Sequence, residues 1–380
     1  MRALFYTGLL LLALLEILKV YFIMPFPGSQ QSETIDIAYF LHSNRWYLRI
    51  LFLLMIAGGA ASAFRVRRKW LPAIPVLMVA VIVYYFNMEM MADRIFREPE
   101  VLTFKGRSEN ALSDSALVVG VEHAGEAKAY PIRYIQYHHQ VRDTVGGKPV
   151  MVTYCNVCRT GRVFEPVAEG KPEVFRLVGM DHFNAMFEDA TTKSWWRQAN
   201  GEAVAGPLTG ARLPEVECIQ VSVNKFFTMY PFGEIMQADE AFVHAYDTLG
   251  KFESGRGRGK LTGTDSLSWK DKSWVVGIEI GNTARAYDWN KLKEKRIIHD
   301  KVGNTPIVIA LSDDGQSFAA FSRNADNQVF EFRNDSLISE AMRYDFSGNG
   351  TNGASLDRVA AYQEFWHSWR TFRPHTERYQ

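Results

Sequence analysis

The chain is poor in cysteine, with 3 in 380 residues. That excludes a fold built on disulfides and leaves any thiol chemistry local. Charge bias is also lacking: 43 Lys and Arg stand against 42 Asp and Glu, a formal net charge of +1. No global field therefore draws in nucleic acid or an acidic partner, and nucleic acid is not expected among the partners. In "VTYCNVCRTG" (152–161) Arg159 follows the second cysteine where a covalent haem signature needs histidine, so no covalent haem is expected. No small-x-small site follows the first apolar run, which argues against a cleaved leader. What the chain has in quantity is apolar surface: 47% of its residues are hydrophobic and 13% aromatic, ample for a sizeable core.

That apolar material is concentrated at the start. The stretches 3–24, 47–64 and 70–91 each have the length and composition of a membrane span, the second only just. The basic run "RVRRK" (65–69) separates the last two, and the positive-inside rule puts it in the cytoplasm. The amino terminus is then inside, the 25–46 loop outside, and everything after about Asp93 extracytoplasmic. Residues 1–92 read as a membrane anchor with three predicted transmembrane helices. Glu16 and Lys19 lie one helical turn apart within the first span, where pairing or snorkelling relieves the cost of burial; a proton or ion path is the alternative.

The remainder repeats itself. Residues 118–150 match 275–307 without a gap at an offset of 157, pairing Gly120 with Gly277, Tyr130 with Tyr287, Asp143 with Asp300 and Pro149 with Pro306. Short β-branched runs separated by turn signals predict strands, with tight turns at Gly146–Gly147 and at Gly303–Asn304. Helices are expected in "YIQYHHQVR" (134–142) and in the aromatic segments 223–236 and 362–379. The expected fold is therefore N-terminal transmembrane α-helices followed by a β-rich α+β domain of two repeated lobes. The first lobe covers 93–236, a connector 237–273, and a degenerate second lobe 274–380. The glycine and arginine run in the connector, 253–266, reads as a solvated linker rather than a phosphate loop.

The repeat also isolates the chemistry. At the same offset Cys155 faces Ser312, Cys158 faces Gly315, His138 faces Lys295 and His139 faces Arg296, so the thiols and the histidines disappear together. A redox dithiol is one reading, with Cys155 as nucleophile, Cys158 as resolving thiol and His138 tuning the pair or relaying a proton. A copper- or zinc-binding module is the second, with Met180 or His182 completing a set of Cys155, Cys158 and His138. A non-enzymatic interaction protein with a structural disulfide is the third. The tryptophans 195 and 196 read as core, and Cys218 as a small hydrophobe on a strand.

The stretch 126–166 ("EAKAYPIRYIQYHHQVRDTVGGKPVMVTYCNVCRTGRVFEP") with "SWWRQANGEAVAGPLTG" (194–210) resembles the bacterial family of domain of unknown function 3179, over roughly 100–380. The resemblance rests on the Tyr-Cys-x-x-Cys element at Cys155 and Cys158, the upstream His138, and Trp195 through Ala203. Members of that family carry the label selenoprotein-related, which implies selenocysteine in place of a cysteine of this motif and so favours redox chemistry. With a bacterial family and the orientation read from the basic run, the expectation is an inner-membrane protein with its C-terminal part outside the cytoplasm, partnered by the membrane and by an unknown electron or thiol carrier.

Overall fold

The computed structural model describes residues 1–340, 342–351 and 353–380, with Thr248 described by its backbone alone. The chain divides into two compact units. One comprises Met1–Arg97, Glu173–Arg197 and Glu202–Arg212; the other comprises Glu98–Pro172, Gln198–Gly201 and Leu213–Gln380.

In the first unit, α1 (Arg2–Tyr21) leads through the 25–46 loop, which contains a further helix α2 (Ile35–Ser43), to α3 (Arg45–Ala63) and α4 (Trp70–Met88). Helices α1, α3 and α4 are long and apolar enough to cross a membrane. Small residues let α1 and α3 approach closely: a Cβ on Gly59 would lie 2.5 Å from the backbone nitrogen of Phe5. The pairing of Glu16 with Lys19, at 2.7 Å, extends to the other spans. Arg49 of α3 donates to Glu16 at 2.6 Å and Asn87 of α4 at 2.7 Å, so all three helices meet in one polar cluster.

The same unit holds a four-stranded antiparallel sheet in the order Ala203–Ala205, Trp195–Arg197, Asn184–Asp189, Phe175–Asp181. Most of the segment 173–212 thus groups with the N-terminal helices, although the sequence repeat suggested it would continue the 93–236 lobe. Main-chain pairing explains this: Met180 N–H donates to the carbonyl of Ile23 at 2.7 Å. Trp195 and Trp196 are fully buried, and their indole N–H groups donate to Glu188 and Asp189 at 3.0 and 2.9 Å.

The second unit is a β-rich assembly of small sheets, in which two stretches have the same order of elements. Strands Leu117–His123 and Glu126–Pro131, helix Ile132–His138, and strands Gln140–Val145, Lys148–Cys155 and Thr160–Phe164 make the first. Strands Trp274–Ile280 and Thr283–Asp288, helix Trp289–Lys295, and strands Ile297–Val302, Thr305–Leu311 and Phe318–Ser322 make the other. Their register agrees at the offset of 157: Val119 pairs with Tyr130 as Val276 pairs with Tyr287. Tyr130 donates to Asp143 at 2.8 Å, and Tyr287 to Asp300 at the same distance. Each stretch is closed by a later strand and helix, Ile219–Ser222 with Val223–Met229 and Ala361–Phe365 with Trp366–Phe372.

Several local expectations change. The helices expected over 223–236 and 362–379 are shorter, Val223–Met229 and Trp366–Phe372, with strands Glu234–Met236 and Ala361–Phe365 taking part of the remainder. The helix read over 134–142 runs from Ile132 to His138, because His139 adopts a left-handed φ of 61° and Gln140 enters a strand paired with Thr153. Ladder bonds to a buried neighbour outweigh the local helical pattern there. The 237–273 connector, to which no element was assigned ahead of the 253–266 run, is partly ordered. It includes the helix Val243–Glu253, whose Tyr246 and Phe252 join the apolar core with Tyr130, Val152 and Tyr154.

Candidate functional site

Cys155 ends the strand Lys148–Cys155 and pairs with Thr160 across a hairpin, so residues 156–159 form the turn and Cys158 lies within it. Both cysteines are fully buried, at 0% exposure. Arg159 permits the turn by taking a left-handed φ of 55°, and its guanidinium is drawn inward. It donates to the carbonyls of Phe252 and Glu253 at 3.0 and 2.9 Å and to Gln363 at 3.2 Å, and stacks 3.6 Å over the ring of Trp274. Burial lowers its affinity for its proton.

The turn is gripped from the second half of the unit. The Phe365 N–H donates to the Cys158 carbonyl at 2.8 Å. Lys272 Nζ donates to the Val157 carbonyl, midway between the cysteines, at 2.7 Å. His367 Nε2 lies 3.1 Å from that same carbonyl and 3.1 Å from Lys272 Nζ. The two side chains are brought together by main-chain bonds, His367 N–H to Asp271 O at 2.9 Å and Trp366 N–H to Ser273 O at 2.8 Å. Burial pushes Lys272 below the usual lysine range, while the charges of Cys158 and then Cys155 oppose that shift. Burial, reinforced by the Lys272 ammonium, pushes His367 down to about 4 and keeps its ring neutral at pH 7.

Tyr154, beside Cys155, has a fully buried hydroxyl with no hydrogen-bond partner among the described residues, and burial pushes its phenol upward. A cavity of about 280 Å³ is bordered by Glu253, Gly255 and Trp274, the tryptophan that carries Arg159.

At the equivalent positions of the other stretch the same hairpin is closed by oxygen chemistry. Ser312 N–H donates to Ser317 O at 2.8 Å, and the Ser312 hydroxyl donates to Asp335 at 2.8 Å. The framework persists and the thiols do not.

The remaining residues singled out in the sequence fall as follows. His138 is fully buried with Nε2 2.6 Å from the Tyr246 hydroxyl, on the connector helix. Its neighbour His139 accepts from the Tyr154 N–H at 3.0 Å through its carbonyl, and burial pushes its ring down to about 4. Met180 and His182 belong to the other unit, where His182 Nδ1 lies 2.7 Å from Asp181. Among the described residues, no group of three or more His, Cys, Asp and Glu is arranged to hold a metal ion. Cys218 precedes the strand Ile219–Ser222, is half-buried, and has its thiol pushed up to about 12 by burial.

Residues 96–376 match the model of a family described as "Protein of unknown function (DUF3179)". The chain belongs to this family. No curated protein and no solved structure matches it. The matched region contains both cysteines and both stretches of the second unit, and also Lys272 and His367, which the sequence reading did not single out. Neither had a signal to find: a lysine in a polar connector and a histidine in an aromatic helix resemble solvated or core residues until the main chain brings them to Val157.

Proposed function

We propose that this member of the DUF3179 family is a membrane-anchored thiol–disulfide oxidoreductase that works outside the cytoplasm through Cys155 and Cys158. The observation that carries the reading is Lys272, a half-buried ammonium held against the loop between the two cysteines. A thiolate at either position is attracted by that ammonium, which is what a reactive cysteine needs in a buried site. Cys155 keeps the role of attacking thiolate and Cys158 that of resolving thiol. His138 is proposed to tune the pair or relay its proton, a role suggested by its place upstream of the motif. The basic run at 65–69, read by the positive-inside rule, supports the orientation.

In the reductive direction the Cys155 thiolate attacks a disulfide of the partner. One S–S bond forms and one breaks, and the leaving thiolate takes up a proton. Cys158, deprotonated, then attacks Cys155 and releases the second partner thiol. Two electrons pass to the partner, and the protein is left with a Cys155–Cys158 disulfide; the reverse sequence oxidises a dithiol. Since both sulfurs are buried, exchange requires the 156–159 turn to loosen from Lys272 and His367.

The test is a redox titration of the full-length protein in nanodiscs, with alkylation and mass spectrometry reporting the oxidation state of the pair. A two-electron midpoint above about −300 mV is expected; a bond that resists reduction below that value is a structural staple and overturns the reading. Metal analysis of protein purified without chelator is the companion measurement. Stoichiometric copper or zinc lost in Cys155→Ser would replace the dithiol by a metal site.

A further inference from the structure

A second site is independent of the thiols. In the first unit a cavity of about 550 Å³ opens where the end of α1, the start of α3 and the end of α4 meet. Lys19 is two residues from the end of α1, Arg45 is the first residue of α3, and Asn87 is the last but one of α4. At about 1.5 Å per residue, all three lie within a few ångströms of the same membrane boundary, the depth of lipid headgroups. Trp46, Tyr47 and Phe40 are 62%, 77% and 56% exposed at this same end, the amphipathic aromatics that sit at a membrane interface.

The lining is unbalanced in charge. Lys19, Arg45, Arg176 and Lys193 border the cavity, while Glu188 is the carboxylate among the described lining residues. Lys19 is already engaged by Glu16, and Arg176 by Glu188 at 2.7 Å and Asp93 at 3.1 Å. Arg45 donates to the carbonyl of His42, and neither Arg45 nor Lys193 forms an ion pair among the described residues. Two cations thus face a cavity of ligand size without a direct salt bridge, Arg45 sharing the charge of Glu188 at longer range, and cations in that arrangement recognise a phosphate oxyanion. Trp46 and Ile23 supply an apolar wall suited to the glycerol and upper acyl chain of a lipid.

We propose that this cavity binds a phosphate group, with Arg45 and Lys193 as its principal ligands, presented by an anionic phospholipid headgroup or as a free phosphate. The two sources separate experimentally. Full-length protein is placed in nanodiscs of phosphatidylcholine with a minor share of phosphatidylglycerol, and the lipid retained after transfer to detergent is counted by native mass spectrometry. In parallel, inorganic phosphate binding to lipid-stripped protein is measured by equilibrium dialysis. Wild type is expected to retain phosphatidylglycerol selectively at one per chain, and Arg45→Gln and Lys193→Glu to lower that retention about tenfold. Lys193 is exposed on a turn between strands, so Lys193→Glu tests the charge without touching the helix bundle. Saturable binding of inorganic phosphate, lost in the same variants and without lipid selectivity, makes the ligand a soluble phosphate. Selectivity for neither source, or retention unchanged in Lys193→Glu, overturns the site.

Discussion

Lys272 Nζ lies 2.7 Å from the carbonyl oxygen of Val157, so an ammonium 115 residues away in sequence closes the loop between Cys155 and Cys158. If that charge stabilises a thiolate, replacing it by a neutral group of similar shape must move the pH dependence of cysteine reactivity. Lys272→Met is expected to shift the midpoint of Cys155 alkylation by iodoacetamide upward by about one pH unit. Loosening of the turn scales the rate at every pH, so the midpoint carries the information and the amplitude does not. An unmoved midpoint removes Lys272 from the chemistry.

Acid stability should report on the buried imidazoles. His139 and His367 are held at about 4 in the folded protein, against an ordinary value near 6.5. Below pH 6.5 the unfolded chain takes up protons that the folded one refuses, so stability is full above that pH and falls as pH drops toward 4. For His139, which is fully buried, the loss over that window is of order 2–3 kcal/mol. His139→Asn keeps a residue that tolerates the left-handed backbone and should flatten the curve. Thermal melts between pH 7 and pH 4 decide it, and identical slopes for variant and wild type would contradict the assignment.

The paired tyrosines offer a test of how alike the two stretches are in energy. Tyr130 to Asp143 and Tyr287 to Asp300 are both 2.8 Å hydrogen bonds from fully buried rings to carboxylates. Tyr130→Phe and Tyr287→Phe should each destabilise the protein by about 1–3 kcal/mol. The double variant should lose the sum, because the sites share no partner. Denaturant titration of all three variants measures this, and a strongly non-additive double would mean that the pairs are coupled.

Glycine packing separates the same stretches. A Cβ on Gly277 would lie 2.2 Å from the Trp369 ring, while one on Gly120 would meet Ile219 and Phe226 at 3.1 and 3.2 Å. Gly277→Ala must displace a fully buried indole and is expected to cost about 1–3 kcal/mol or more; Gly120→Ala needs only a small shift of flexible side chains. Comparison of the two melting temperatures checks the order, and an equal drop would contradict it.

Much of this architecture was legible in the chain. The spans could be read because α1, α3 and α4 are apolar over their whole length, a signal that needs no knowledge of neighbours. The agreement of Tyr130 with Tyr287 and of Asp143 with Asp300 was visible as spacing, and the hairpins at Gly146–Gly147 and Gly303 as turn chemistry. The end of the helix at His138 was not, since the residues after it keep a helical pattern and turn into a strand only through pairing with Thr153.

Local sequence by itself determined the long apolar helices, the strand-and-turn pattern and the position of two thiols in one short loop. Each depends on interactions between residues close together in the chain, or on transfer of apolar surface that any partner can satisfy. Tertiary structure alone decided that the strands of 173–212 group with the N-terminal helices, that Glu16 meets Arg49 and Asn87, and that Lys272 and His367 reach Val157. Those contacts join residues tens to hundreds of positions apart. Their geometry follows from packing and main-chain pairing rather than from any periodicity that a sequence displays.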